Sequence, residues 1–188
     1  MTHRRRSAFT VAAVQMRSTT DRERNLAIAE RLADRAAAAG ADLIAFPENV
    51  AYLRREGEAR PPAEARTGPT FRRFAAMAKR HRVHVLAGSI AERGGRGGRV
   101  FNTSVLFAPD GRAAAVYRKM HLFDVAIADR AVFRESSFVQ AGGRSVVART
   151  PLGALGLSIC YDLRFPELYR RLTLRGAQVL VVPSAFTA

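Results

Sequence analysis

Apolar segments of strand length alternate with segments of helical periodicity along this chain, and this alternation restricts the possible folds more than any other feature. The strand-type segments of the first half are residues 9–15, 43–46 and 83–90. Helical patterns separate them, over residues 22–39 and around Phe71, Phe74, Ala75 and Ala78. Strands that alternate with helices predict a layered α/β fold.

The second half of the chain predicts hairpins in addition. Its strand-type segments are residues 101–107, 112–117, 145–150, 154–159 and 178–182. Turn sequences join the first two segments at residues 109–111 and the next two at residues 151–153. The long segment between the two hairpins is predicted to be irregular, and residues 166–175 are predicted to form a helix. Together the patterns favour a mixed sheet in a single domain over residues 1–188.

Composition places the chain among soluble proteins. No apolar run approaches the roughly 18–20 residues that a membrane span needs. Arg4, Arg5 and Arg6 precede an apolar stretch as in a secretion signal, but Gln15 closes that stretch early, so a first strand is the preferred interpretation. The single cysteine rules out an internal disulfide bond, which fits a reducing, cytoplasmic compartment.

The net charge of +15 raises the question of a nucleic-acid or membrane partner. The basic residues are scattered through every segment, and all but two of the 31 are arginine, the exceptions being Lys79 and Lys119. Such a bias is typical of genome composition, so we predict neither nucleic-acid binding nor membrane binding. Where arginine fills nearly every cationic position, Lys119 indicates a place that needs a compact ammonium group.

Three apolar segments deliver a reactive side chain where they end: residues 43–48 end at Glu48, residues 115–119 at Lys119 and residues 155–160 at Cys160. Sites in open α/β sheets form at the carboxyl ends of strands, so these three side chains are predicted to converge. Taken singly, Glu48 could be a loop carboxylate or a helix cap, Lys119 could be a surface amine and Cys160 could be a core residue. Taken together, they supply a base, a cation and a nucleophile.

The segments around these residues resemble the three signature blocks of the nitrilase superfamily of carbon–nitrogen hydrolases. The blocks are Phe46-Pro-Glu48, Tyr117-Arg-Lys-Met-His-Leu-Phe-Asp124 and Cys160-Tyr-Asp-Leu-Arg-Phe-Pro-Glu-Leu-Tyr169. Their order and spacing are similar to those of the Nit-type branch, which includes ω-amidases. The resemblance implies an αββα sandwich and hydrolysis of a small linear amide, with release of ammonia. Nitrile hydrolysis is an alternative within the same family.

The resemblance also implies a role for each site residue. Cys160 is the nucleophile, Glu48 the general base, and Lys119 with the backbone N–H of Tyr161 stabilises the oxyanion. A second glutamate of the family corresponds to Glu135, sixteen residues after Lys119. A solvated loop carboxylate is the alternative for Glu135.

Two further side chains have competing interpretations. His121 could form a papain-like pair with Cys160, whereas the resemblance makes it a structural loop residue. Arg164 could bind a substrate carboxylate through its planar fork, or form a salt bridge with Asp162 or Glu167.

No metal and no cofactor are predicted. The four histidines are dispersed, one cysteine cannot build a zinc site, and the glycine-rich segment 94–98 lacks the Lys-Ser/Thr pair of a phosphate loop. The expected partner is a small-molecule amide, and full-length relatives are expected to form homo-oligomers.

The last predicted strand is followed by only a few residues, whereas family members continue with a helix and further strands. We therefore expect a sandwich that is incomplete at the C-terminus. A non-catalytic fragment with a basic surface is the alternative function.

Overall fold

A larger and a smaller β-sheet form the centre of the fold in the computed structural model, which describes residues 8–55, 57–58, 60–127 and 131–186. The larger sheet contains β1 (Val11–Ala13), β2 (Leu43–Ala45), β3 (His84–Leu86), β4 (Ile90–Arg93), β5 (Val100–Phe107) and β6 (Ala113–Arg118). Its order is β1-β2-β3-β5-β4, and β6 also pairs with β5. The pairs β1–β2 and β2–β3 are parallel and the other pairs are antiparallel, so the predicted mixed sheet is confirmed.

A hairpin and the smaller sheet follow along the chain. The hairpin consists of β7 (Asp124–Ile127) and β8 (Ala131–Arg134), and the smaller sheet consists of β9 (Val146–Thr150), β10 (Gly153–Leu157) and β11 (Val179–Val181). β10 lies in the middle of this sheet, antiparallel to β9 and parallel to β11.

Local sequence explains where the three α-helices begin. They are α1 (Arg22–Ala38), α2 (Pro69–His81) and α3 (Pro166–Leu174). The carboxylate of Asp21 accepts a 3.0 Å hydrogen bond from the Arg24 N–H and caps α1. A proline occupies the first position of α2 and of α3, where its missing N–H costs nothing.

Alternating side chains divide the larger sheet into two buried faces. One face packs against α1 and α2, with Ile44, Val85 and Val105 in one apolar cluster. The other faces the smaller sheet, with Leu43, Leu86, Leu106, Leu155 and Leu157 in a second cluster. Successive strand residues point to opposite sides, which is why neighbours in the sequence belong to different clusters.

Helix α3 covers the outer side of the smaller sheet. A Cβ atom on Gly156 would lie 3.3 Å from the Cβ of Leu172, so the helix approaches the strand where a side chain is absent. The order of layers is therefore α1 and α2, the larger sheet, the smaller sheet and α3, and the predicted αββα architecture is confirmed. None of the helices in the described segments is both long and apolar enough to cross a membrane.

Two element predictions were wrong. Residues 83–90 do not form one strand: β3 and β4 are separated at Gly88, whose φ is +42° and where a Cβ would collide with the backbone of Phe46 and Pro47. The segment predicted to be irregular contains the β7–β8 hairpin. Its connection, residues 128–130, lies outside the described residues, and Asp129 is the one turn-type residue in its sequence, a weaker signal than the Pro-Asp-Gly and Pro-Leu-Gly turns of the other hairpins.

Candidate active site

The ends of three strands bring the predicted reactive side chains together. Glu48 follows β2, Lys119 directly follows β6, and Cys160 follows β10. The Lys119 N–H extends the β-ladder by donating to the carbonyl of Asn102 at 2.9 Å, which fixes the backbone from which the ammonium projects. Glu48, Lys119 and Cys160 are 4%, 2% and 9% exposed, so all three lie in surroundings largely free of water.

Lys119 lies between two carboxylates. Its Nζ is 3.0 Å from Glu48 Oε1 and 2.9 Å from Glu135 Oε2. Burial alone would lower the pKa of Lys119, but the two carboxylates outweigh burial and raise that pKa above its ordinary value. Lys119 is therefore a permanent ammonium ion. Glu135 contacts it from a 3-10 turn and is not a solvated loop residue, since its side chain is 14% exposed.

Further donors orient the two carboxylates. Asn102 Nδ2 donates to Glu48 Oε1 at 2.9 Å and to Glu135 Oε1 at 3.4 Å. The Ala185 N–H donates to Glu48 Oε2 at 3.0 Å, and the Phe123 N–H donates to Glu135 Oε2 at 2.7 Å. Each carboxylate thus has both oxygens engaged, which leaves little rotational freedom at the site.

Asn102 is a site residue that the sequence analysis missed. A signal for it exists, because Asn102, Thr103 and Ser104 are polar residues in the middle of the otherwise apolar strand β5. Buried polar residues need partners, so such a run indicates a polar site beneath the strand. The Asn102 Oδ1 and Ser104 Oγ atoms, on the same face of β5, have no hydrogen-bond partner among the described residues.

Cys160 begins a 3-10 turn with its backbone in the left-handed region, at φ +45°. This conformation is rare for a non-glycine residue and is typical of reactive positions. Burial raises the pKa of the Cys160 thiol to about 11; the charge of Glu48 and its hydrogen bond with the thiol add to this rise, while Lys119 and the Ala185 N–H oppose it. The resting group is therefore a thiol with a carboxylate beside it that can accept its proton.

Asp162 is fully buried and joins the cysteine turn to the end of β6. Its Oδ2 accepts from Tyr117 Oη at 2.6 Å and from the Ile159 N–H at 2.9 Å. Its Oδ1 lies 3.0 Å from the His121 N and 2.7 Å from His121 Nδ1. The His121 ring also stacks on Phe165, with ring centroids 3.8 Å apart. His121 is thus engaged as a structural loop residue, which is the interpretation that the family resemblance favoured over a pair with Cys160.

The two remaining candidates, Tyr161 and Arg164, lie in the same turn. Within the described segments, the Tyr161 N–H donates to no acceptor, which agrees with its predicted role as an oxyanion donor. Arg164 is exposed, and among the described residues it forms no salt bridge with Asp162 or Glu167. In the part of the chain that the structure describes, no three His, Cys, Asp or Glu side chains are grouped as they would be to hold a metal ion.

Comparison with known proteins agrees with this geometry. A family model described as carbon–nitrogen hydrolase matches residues 10–187. The chain is 45% identical over 183 residues to the deaminated glutathione amidase of Synechocystis sp., covering 96% of this chain and 67% of that protein. It is 35% identical over 184 residues to the omega-amidase of Mus musculus, covering 96% of this chain and 64% of that protein.

A solved structure shows the same fold. The chain superposes on Nit3 of Saccharomyces cerevisiae, a member of branch 10 of the nitrilase superfamily, with a TM-score of 0.81 and 28% identity, covering 95% of this chain and 65% of that one. The chain spans about two thirds of the length of these three proteins. With the family model matched along nearly all of it, the chain belongs to the carbon–nitrogen hydrolase family.

Proposed function

We propose that this chain hydrolyses the C–N bond of a small linear amide through a thioester on Cys160, releasing ammonia and a carboxylic acid. One observation carries the proposal. A thiol, a carboxylate and an ammonium ion lie in one buried cluster, on Cys160, Glu48 and Lys119. The next N–H in the chain, that of Tyr161, has no acceptor among the described residues. The relatives named as amidases support the same reaction class.

Formation of the thioester begins with proton transfer. Glu48 accepts the proton of the Cys160 thiol as the sulfur attacks the amide carbon, and the carbonyl oxygen becomes an oxyanion. Lys119 and the Tyr161 N–H stabilise that oxyanion, and each such donor is worth ~10²–10³ in rate. Glu48 then gives its proton to the leaving nitrogen, the C–N bond breaks, and ammonia departs from a thioester.

Hydrolysis of the thioester repeats these steps with water. Glu48 removes a proton from the water as its oxygen attacks the thioester carbon, and the same two donors stabilise the second oxyanion. The C–S bond breaks, the carboxylic acid leaves, and the proton on Glu48 returns to the sulfur of Cys160. Atoms balance, since one amide and one water give one acid and one ammonia.

The raised pKa of Cys160 is compatible with this mechanism. A thiol with a pKa of about 11 holds little thiolate near neutral pH, so attack requires a base in contact with it. Glu48 meets that requirement. A thiolate that forms only when a substrate is present is also less open to oxidation, which protects the enzyme between turnovers.

For the substrate, we favour an ω-amide of a carboxylic or keto acid. Arg164 supports this choice, because it is exposed four residues after the nucleophile and forms no ion pair with another described residue. A guanidinium in this position can form a bidentate ion pair with a carboxylate at the far end of the substrate.

The experiment that tests the reaction is ammonia release from a panel of ω-amides and α-keto-ω-amides, with Cys160→Ala in parallel. Because Cys160 is the only cysteine, titration with a thiol reagent counts the active sites directly. We expect release from the wild type and none from the variant. Equal release from both would refute the mechanism, and salt-dependent binding to polyanions without any release would favour the non-catalytic alternative.

A second arm tests the acid end of the substrate. Arg164→Ala should raise the KM for amides that carry a carboxylate and leave the KM for uncharged amides unchanged. Arg170→Ala is the matched control, since Arg170 is also exposed but lies in α3, after the cysteine turn. Equal effects of both variants on all substrates would exclude Arg164 as the carboxylate site.

A further inference from the structure

The two proposed oxyanion donors come from different sheets. Lys119 follows β6 of the larger sheet, and the Tyr161 N–H lies in the turn after β10 of the smaller sheet. Both must point at one oxygen atom with an error well below 1 Å if they are to stabilise it together. A contact must therefore hold the end of β6 against the cysteine turn.

Asp162 makes that contact on both sides of each donor. Tyr117 and His121, which donate to its carboxylate, lie two residues before and two residues after Lys119. Ile159, whose N–H also donates to it, precedes Cys160, while Asp162 itself follows Tyr161. One carboxylate thus holds the chain on both sides of Lys119 and on both sides of the Cys160–Tyr161 pair.

Burial shields this carboxylate and its Tyr117 donor from water. Asp162 and Tyr117 are both 0% exposed, and burial together with the nearby carboxylate raises the pKa of the Tyr117 hydroxyl, so it remains a donor. The hydrogen bond from Ile159 to Asp162 closes the turn across Cys160, whose left-handed backbone needs such support. Removal of the carboxylate would therefore release the turn and the end of β6 at once.

We infer that Asp162 is a positioning residue for the oxyanion hole, holding Lys119 and the Tyr161 N–H in register across the two sheets. The inference rests on the proposed function, since the oxyanion arises in that reaction. It extends the function to a residue that touches neither substrate nor sulfur.

The decisive variant is Asp162→Asn, which keeps the size of the side chain. An amide has one acceptor oxygen instead of two, so its NH₂ group would face donors now bonded to the carboxylate. Acylation by p-nitrophenyl acetate, followed as the burst of p-nitrophenolate, builds the same oxyanion without an amide substrate. We expect this burst to slow about 100-fold, the loss typical of a small misplacement of catalytic groups.

Alkylation of Cys160 by iodoacetamide is the control reaction, because a general loss of structure would change its rate as well. In that reaction the sulfur displaces iodide from a saturated carbon, and no oxyanion forms. Asp162→Asn should therefore slow alkylation far less than it slows acylation. Equal slowing of both reactions would show a collapsed site and would overturn the positioning role, as would acylation at the wild-type rate.

Single donors refine the test. Tyr117→Phe should slow acylation, whereas Tyr169→Phe, which removes a hydroxyl bonded to Ser158 instead, should not. His121→Asn keeps a donor near the position of Nδ1 and should retain more activity than His121→Phe, which keeps only the stacking on Phe165. The opposite order for the His121 variants would contradict the inference.

The two proposals can fail separately. A p-nitrophenolate burst from a wild-type protein that releases no ammonia would refute the amidase and still test the role of Asp162. A wild-type protein with neither activity would refute both, because it would contain no working oxyanion hole.

Discussion

Two charged clusters lie on opposite faces of strands β5 and β6, and they differ in their ratio of cations to carboxylates. The inner cluster, between the sheets, joins Lys119 to Glu48 and Glu135. The outer cluster, on the opposite face, joins Glu92 to Arg66, Arg118 and Thr103. Adjacent residues build them, since Asn102 and Lys119 belong to the inner cluster and Thr103 and Arg118 to the outer one.

The ratio of charges is reversed between the clusters. In the outer one, two guanidiniums hold a single carboxylate; although burial opposes it, Arg118, Thr103 and Arg66 lower the pKa of Glu92, so it stays ionised. The side chains of Arg66 and Arg118 are 50% and 36% exposed, so water shares in stabilising that cluster. In the inner one, two carboxylates share one buried ammonium, and the excess negative charge can take a proton from Cys160. We propose that the outer cluster, with its excess of cations, is structural and that the inner cluster, with its excess of carboxylates, is the reactive one.

Substituting each of the two adjacent cations by the other type should give the largest difference between the clusters. Lys119→Arg places a planar guanidinium where a compact ammonium contacts two carboxylates, so we expect kcat to fall by ~10²–10³. Arg118→Lys keeps the charge beside Glu92 and should leave kcat of the folded protein unchanged. Steady-state ammonia release from both variants measures the difference, and a similar loss in both would mean that the clusters do not have separate roles.

Substitution of the two adjacent polar residues on β5 should have a smaller effect on catalysis. Asn102→Ala removes a hydrogen bond to Glu48 worth about 1.5–3 kcal/mol, so we expect kcat/KM to fall about 10–100-fold. Thr103→Val removes the hydroxyl bonded to Glu92 and should lower the free energy of unfolding by about 1 kcal/mol without changing kcat. Kinetics and urea denaturation of both variants test this, and unaltered kinetics in Asn102→Ala would remove that residue from the site.

The excess negative charge of the inner cluster should be visible in the titration of Cys160. Alkylation by iodoacetamide should rise with pH toward the raised pKa of about 11. Glu48→Gln removes a charge that raises this pKa, so the midpoint of the alkylation profile should move to lower pH. A midpoint that stays in place would show that Glu48 does not act on the thiol.

The smallest effect concerns acid stability. The pKa of Glu92 is lower in the folded state than in the unfolded one, so its contribution is present above the ordinary carboxyl pKa of ~4.3 and is lost as pH falls through the lower, folded value. The difference in unfolding free energy between wild type and Glu92→Gln should therefore shrink from pH 7 to strongly acidic pH. Urea denaturation at both pH values tests this, and a constant difference would contradict it.

Much of the fold follows from patterns in the sequence. The helices and the hairpins β5–β6 and β9–β10 were predicted because periodicity and turn residues mark them locally, as with Pro109-Asp110-Gly111. The break between β3 and β4 was not, because it depends on the close approach of Gly88 to the segment before Glu48. Contacts between distant segments leave no local pattern in the chain.

The site divides in the same way. Glu48, Lys119 and Cys160 were predicted to converge because each follows a strand, and the family resemblance added Glu135. The structure places all four together. Asn102 was missed because its role depends on two carboxylates that lie 54 and 33 residues away. Polar residues inside a buried strand indicate that they have polar partners, but only the assembled sheets show which groups those partners are.

The most direct test of the central claim compares Glu48→Gln with Glu92→Gln, the same substitution in the two clusters. We predict that Glu48→Gln stays folded and loses about 10³ in kcat, since it removes the general base. Glu92→Gln should keep its kcat per folded molecule and lose on the order of 2 kcal/mol of unfolding free energy, a figure reduced for the partial exposure of its arginine partners. Full turnover in Glu48→Gln, or an equal loss of turnover in a folded Glu92→Gln, would contradict the claim.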